Sequence, residues 1–188
     1  MSPYRLALFV HIVGMIGFFM ALGVWLYGLV ALRRARHAQQ VRLICQAIFA
    51  TDAVAVIGIL LLAIAGLYMA ITTWGVATGW VLVAIVSFAL LAPIGPLVVE
   101  RRLHTIASLA AAAPDGPLSA QIQRRIADPV MGAGVAMRIA WLLGIVFLMT
   151  TKPLLNGAIL VMLLAAFLGV LAGMPLWVAR ERAITSAG

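Results

Sequence analysis

Two oppositely charged side chains, Asp52 and Arg138, sit where charge is expensive, each inside a long apolar run. An ionised guanidinium in hydrocarbon costs several kcal/mol even on the mildest insertion scales, so it needs a partner, a wet cavity or a task. Asp52 follows Arg42 by ten residues, and Arg138 follows Asp128 by ten. At about 1.5 Å of helical rise per residue, both lie roughly 15 Å from a polar end, near the midplane of an apolar slab about 30 Å thick. Equal depth makes an Asp52–Arg138 ion pair the expected arrangement, fixing which helices touch. The active alternative is a proton or ion relay in which Asp52 titrates, with only Tyr68, Thr72 and Thr73 as polar groups on the way out.

His11 and Met149 form a second candidate set. His11 lies 22 residues before Arg33 and Met149 lies 21 after Asp128, so both fall roughly 33 Å from the arginine-rich side. A histidine and a methionine on facing helices can ligate a haem iron. Gly14, on the same helical face as His11, would leave room for the flat macrocycle. The bland reading is an interfacial histidine bonded to a neighbouring helix or to water. His37 and His104 fall in polar connections, which excludes a bis-histidine site across two helices. Cys45 is the single cysteine, so no disulfide and no CxxC metal spacing exists.

The composition says what solvent these residues meet. The 188-residue chain is 65% hydrophobic and 10% charged, with a mean hydropathy of +1.18; a soluble domain carries about 25% charged residues. The expected fold class is therefore all-α, an integral membrane bundle of five transmembrane helices. The expected spans are about 4–32, 43–72, 79–99, 129–151 and 154–178. Residues 100–128 form the one long polar connector, the chain being a single transmembrane domain. The apolar run after Arg5 is too long for a signal peptide and is expected to stay as an anchor.

Net charge is +8, but the basic residues flank apolar runs without interleaved aromatics, which argues against nucleic acid. Ten of the thirteen Lys and Arg lie on one side: Arg33, Arg34, Arg36 and Arg42, then Arg101, Arg102, Arg124 and Arg125, then Arg180 and Arg182. Arg5 and Lys152 lie on the other. The positive-inside rule then puts the N-terminus outside and the C-terminus in the cytoplasm of a cytoplasmic (inner) membrane. Lys152 becomes an outer-face base, Tyr4, Trp74 and Trp80 an outer aromatic belt, and Trp177 its inner counterpart.

Local signals refine the elements. Pro93 and Pro96 each remove an N–H, so the third span should kink. HTIASLAAAA should carry the third helix past the membrane, and PDGP (114–117) should turn. Ser119 should cap a short helix with Ile122 and Ile126 on one face; the segment reads as a solvated connector or, alternatively, as a headgroup or partner contact with Arg124 and Arg125 toward anionic lipid. Asp128 with Pro129 should open the fourth span. Ala165, Gly169 and Gly173 form a small-residue stripe suited to close helix contact, within the bundle or across a dimer; Gly14, Gly17 and Ala21, and Gly132 and Ala136, do likewise. On the second span, the face carrying Asp52, Ala55, Ile59, Ala63 and Gly66 should admit a neighbour.

VHIVGMIGFFM in the first helix, TDAVAVIGILLLAIAGLYMA in the second and RIAWLLGIVFLMTTKP in the fourth together resemble a family of bacterial predicted integral membrane proteins of unknown function. The resemblance covers most of the chain and implies a compact multi-pass membrane protein with no assigned activity. The His-plus-Gly opening of the first helix also resembles, distantly, membrane haem proteins of the copper-resistance and protoporphyrinogen-oxidase type, with His11 at the matching position. The expected function is that of a structural or accessory membrane component, alone as a homo-oligomer or in a larger complex, with no catalytic constellation and no resident cofactor. A b-haem redox protein using His11 is the first alternative. A small proton-coupled transporter using Asp52 is the second.

Overall fold

The computed structural model describes the backbone of residues 2–185 and the side chains of residues 2–174. The expected belt residue Trp177, with Arg180 and Arg182, lies outside the described side chains. Among the described residues the secondary structure is helical, apart from one isolated bridge between His37 and Pro117. Five helices are long and apolar enough to cross a membrane: Pro3–Arg34, Ala38–Trp74, Gly79–Ala112, Ala120–Thr151 and Leu155–Met174. In lipid every backbone polar group must be satisfied within its own helix, which is why so apolar a chain folds this way.

The chain forms two compact units, the first comprising Met1–Val76 with Ala113–Pro117. It opens with α1 (Pro3–Arg34), where the Ser2 hydroxyl accepts from the Arg5 amide and proline occupies the first turn. Next come α2 (Ala38–Phe49) and α3 (Asp52–Met69), the latter ending in a π-helical turn over Ala70–Trp74. The sequence suggests one unbroken helix through this span; the structure interrupts it at residues 50–51. The cause is local: the Ile48 carbonyl accepts both the Thr51 amide at 3.0 Å and the Thr51 hydroxyl at 2.7 Å. A threonine hydroxyl competing for a helical carbonyl is a known way to bend the ladder. Asp52 is therefore the first residue of α3, where the exposed amides and dipole of a helix N-terminus favour an acid.

The segment 113–117 closes this unit. The Ala38 amide donates to the Gly116 carbonyl at 3.0 Å, and Arg42 donates to the Ala113 carbonyl at 3.3 Å while pairing with Asp115.

The second unit comprises Ala77–Ala112 with Leu118–Gly188. Its first span joins α4 (Gly79–Leu91), a π-helical segment Gly95–Glu100 and α5 (Arg101–Ala112). Pro93 and Pro96 produce the expected break, and the ladder re-forms in i→i+5 register, the Arg101 amide bonding the Pro96 carbonyl. Then follow α6 (Ala120–Ile126), α7 (Pro129–Thr151) and α8 (Leu155–Thr185). Ser119 caps α6 by accepting from Ile122, and Ile122 and Ile126 are buried. Asp128 caps α7 by accepting from Val130 at 3.0 Å and also binds Arg102 at 3.2 Å.

Lipid tails are as apolar as leucine, so helices here associate by close packing rather than by escape from water. The small-residue stripe of α8 meets that need within the unit. A Cβ added at Gly169 would meet the Met137 Sδ at 2.8 Å, and one at Gly173 would meet the Ala133 Cβ at 3.0 Å. Ala165 lies against Gly144 of α7. Below them Ala84, Ile145, Leu148, Ala158 and Met162 form a buried cluster.

Candidate functional site

The polar residues of the spans fall into two seats, one in each unit. The first is the antiparallel crossing of α1 and α3. A Cβ added at Gly14 would lie 2.7 Å from the Leu62 amide nitrogen and 2.8 Å from the Gly58 carbonyl. One added at Gly58 would lie 2.8 Å from the Phe18 nitrogen and 2.9 Å from the Gly14 carbonyl. Only glycine fits on both sides of a backbone-to-backbone contact this close. The buried positions of α3 are Gly58, Ala65 and Met69, so the contact face is turned from the Asp52, Ala55, Ile59, Ala63 and Gly66 face suggested by the sequence, of which Gly66 does meet α1.

One turn before Gly14 on α1 lies His11, 6% exposed. Its Nδ1 sits 2.8 Å from the Leu62 carbonyl. A carbonyl can only accept, so Nδ1 carries the proton and Nε2 of the neutral ring is the lone-pair nitrogen. Gly66 makes the room: a Cβ there would stand 2.9 Å from His11 Cε1. The ring is thus clamped between a carbonyl and a glycine of the same neighbouring helix.

The second seat joins α7 to the kinked span. Arg138 lays its guanidinium over Gly95, where an added Cβ would meet Cζ and Nη2 at 3.2 Å. The Trp141 indole N–H donates to the Ser87 carbonyl at 3.0 Å, and Gly134 faces Val98 and Val99. These contacts run antiparallel from Arg102–Asp128 to Ser87–Trp141 and fix the register of α7 against the span. Glu100, at the end of the π-helical segment, contributes a favourable charge toward Arg138. Sequence reasoning missed Ser87 and Trp141. A tryptophan three residues from an intramembrane arginine was the available signal, because a buried indole N–H needs an acceptor.

The remaining sequence candidates divide between the units. Asp52 belongs to the first unit and Arg138 to the second. Met149 is partly buried and packs against the Ala84–Ile145–Leu148–Ala158–Met162 cluster. Lys152 ends α7 in the left-handed conformation, φ 49°. Arg124 and Arg125 are exposed on α6, opposite its buried isoleucines. Among the described residues no three His, Cys, Asp or Glu side chains gather to hold a metal ion.

A family model described as "Predicted integral membrane protein (DUF2269)" matches residues 5–153. No curated protein and no solved structure matches the chain.

Proposed function

The chain belongs to this family of predicted integral membrane proteins, and from that premise we propose that it is a non-enzymatic component of a cytoplasmic membrane, acting as an oligomer or as an accessory subunit of a larger complex. The observation that carries this reading is the use made of the intramembrane polar groups. His11 is turned onto Leu62 and Gly66, Trp141 onto Ser87, and Arg138 onto Gly95, each against the backbone of a neighbouring helix. Polar groups engaged this way specify helix contacts. The outward faces are apolar, with Phe9, Met20, Ile64, Leu160 and Phe167 among the exposed side chains, and suit lipid or a partner helix equally. The positive-inside orientation and the headgroup contacts of Arg124 and Arg125 belong to the same reading. So does the Asp52–Arg138 pair, which rests on equal depth. Native mass spectrometry of gently extracted protein tests the role. The expected result is a multiple of the 20.0 kDa chain, or the chain with other subunits. A lone chain carrying a stoichiometric cofactor would overturn it.

One observation favours a second reading, a b-haem site at His11. The Leu62 carbonyl holds the Nδ1 proton and leaves Nε2 as the nitrogen that could bind iron, the arrangement in which a second group orients a metal-binding imidazole. An absorption spectrum after haem supplementation decides: a Soret band lost in His11→Ala supports it, and its absence from the unaltered protein removes it.

A further inference from the structure

A groove runs along the first unit from the arginine-rich end of α1 toward the middle of that helix. At the polar end it has a volume of about 400 Å³ and is lined by Val30, Arg34, Gln40 and Leu43, among others. Deeper lies a second hollow of about 440 Å³, lined by Met20, Gly23, Val24, Thr51 and Val54. Tyr27 borders both and is 76% exposed. The deeper part lies beside the interruption between α2 and α3, with Thr51 and Val54 in its wall. A Cβ added at Gly23 meets nothing within 4 Å, so the hollow is open beside it.

The chemistry changes sharply along this groove. Its polar lip offers donors: the Arg34 guanidinium, and the NH2 of Gln40, whose carbonyl oxygen already accepts the Arg36 and His37 amides. No acid lines either part. Arg33 adds to the positive potential at the same helix end, whereas Arg42 is committed to Asp115 and the Ala113 carbonyl. Inward from the lip the lining is almost wholly apolar. Gly23 stands eleven residues from Arg34, or roughly 16 Å along the helix, close to one leaflet of hydrocarbon.

We propose that this groove seats one anionic phospholipid, its phosphate held by Arg34 and Gln40 and an acyl chain lying past Tyr27 against Gly23 and Val54. A phosphate presents only acceptors to a lip that presents donors, and the hollow below has the length and polarity of a single acyl chain.

Native mass spectrometry in detergent, titrating phosphatidylglycerol against phosphatidylcholine of the same chains, tests this. One phosphatidylglycerol should bind about fivefold tighter, the ratio expected for one basic residue at the membrane surface. Arg34→Gln should abolish that preference, and Arg33→Gln, outside the groove lining, should retain it. Gly23→Leu should weaken both lipids by filling the chain seat, with Val54→Trp testing the same seat from the opposite wall should Gly23→Leu fail to fold. Equal binding of the two lipids overturns the proposal, as does a preference that survives Arg34→Gln. Inorganic phosphate competing as well as the lipid would also overturn it, by showing that the chain seat contributes nothing. So would a Gly23→Leu effect confined to oligomeric mass, which would put a second chain in the groove.

Discussion

The α1–α3 seam of the first unit and the α7 seam on the kinked span of the second are held by different means. At the α1–α3 crossing, glycines remove side chains altogether and backbone meets backbone, with the His11 ring bonded to a carbonyl within the neighbouring helix. Along α7 and the kinked span, a glycine instead makes room for a long cationic side chain, and prolines have already disturbed the ladder beneath it. The first seam has no room for an added atom, because both sides of the contact are backbone. The second is adaptable because the end of an arginine can move aside. In a solvent that gives helices no hydrophobic reason to associate, shape and polarity both make a contact specific, and these two seams weight them differently.

The contrast is tested hardest by matched glycine substitutions. Gly58→Ala should destabilise by about 3 kcal/mol or more, because the new methyl meets the Phe18 nitrogen and the Gly14 carbonyl and the helices must separate. Gly95→Ala should cost about 1 kcal/mol or less, since the Arg138 guanidinium needs to retreat by only a few tenths of an ångström. Thermal unfolding in one detergent measures both, and equal losses would erase the distinction.

A double-mutant cycle on Asp52→Asn and Arg138→Gln comes next. Asp52→Asn alone should lower stability and the double variant should recover part of it, with a coupling of about 1–3 kcal/mol. Strict additivity would remove the pair and leave each charge to its own unit.

Gly66→Ala should cost about 1–2 kcal/mol by displacing the His11 ring from the Leu62 carbonyl. His11→Leu should then make Gly66→Ala nearly silent, since no hydrogen bond remains to be lost. A full Gly66→Ala penalty in the leucine background would mean that the ring acts only as volume.

The smallest effects concern the ion pairs of the polar connections. Asp128→Ala removes a helix cap along with the Arg102 contact and should cost about 1 kcal/mol. Asp115→Ala removes an exposed pair with Arg42 and should change stability by about 0.5 kcal/mol or less. The order of these two is readable by chemical denaturation, and its reversal would make the 113–117 segment more important to the first unit than its exposure suggests.

Where the sequence was legible, the signal was local. The five apolar runs and the Ser119 and Asp128 caps each depend on residues within a few positions of one another, as does the proline break near Pro93. The α8 stripe announced a contact face but not its partner, which is α7. The interruption before Asp52 was invisible because it involves neither glycine nor proline, only a threonine hydroxyl that could equally have stayed in register. Gly58 was not distinguished from Ala55, Ala63 and Gly66, since a helix rich in small residues offers several plausible faces and only the partner selects one. Arg138 and the prolines beside Gly95 were conspicuous, yet Gly95 and Arg138 stand 43 positions apart in the chain, and their juxtaposition is a property of packing.

The π-helical segment Gly95–Glu100 has a consequence for evolution by insertion and deletion. An i→i+5 ladder holds one more residue than an α-helix of the same bond count, and each residue turns the helix by about 100°. Every side chain of α5 is therefore aimed by that surplus residue, including the buried Leu103, Ile106 and Ala110. Deleting Val98 would straighten the ladder and rotate those three out of the interior without altering any of them. The reading frame of burial in α5 is set upstream, at the prolines.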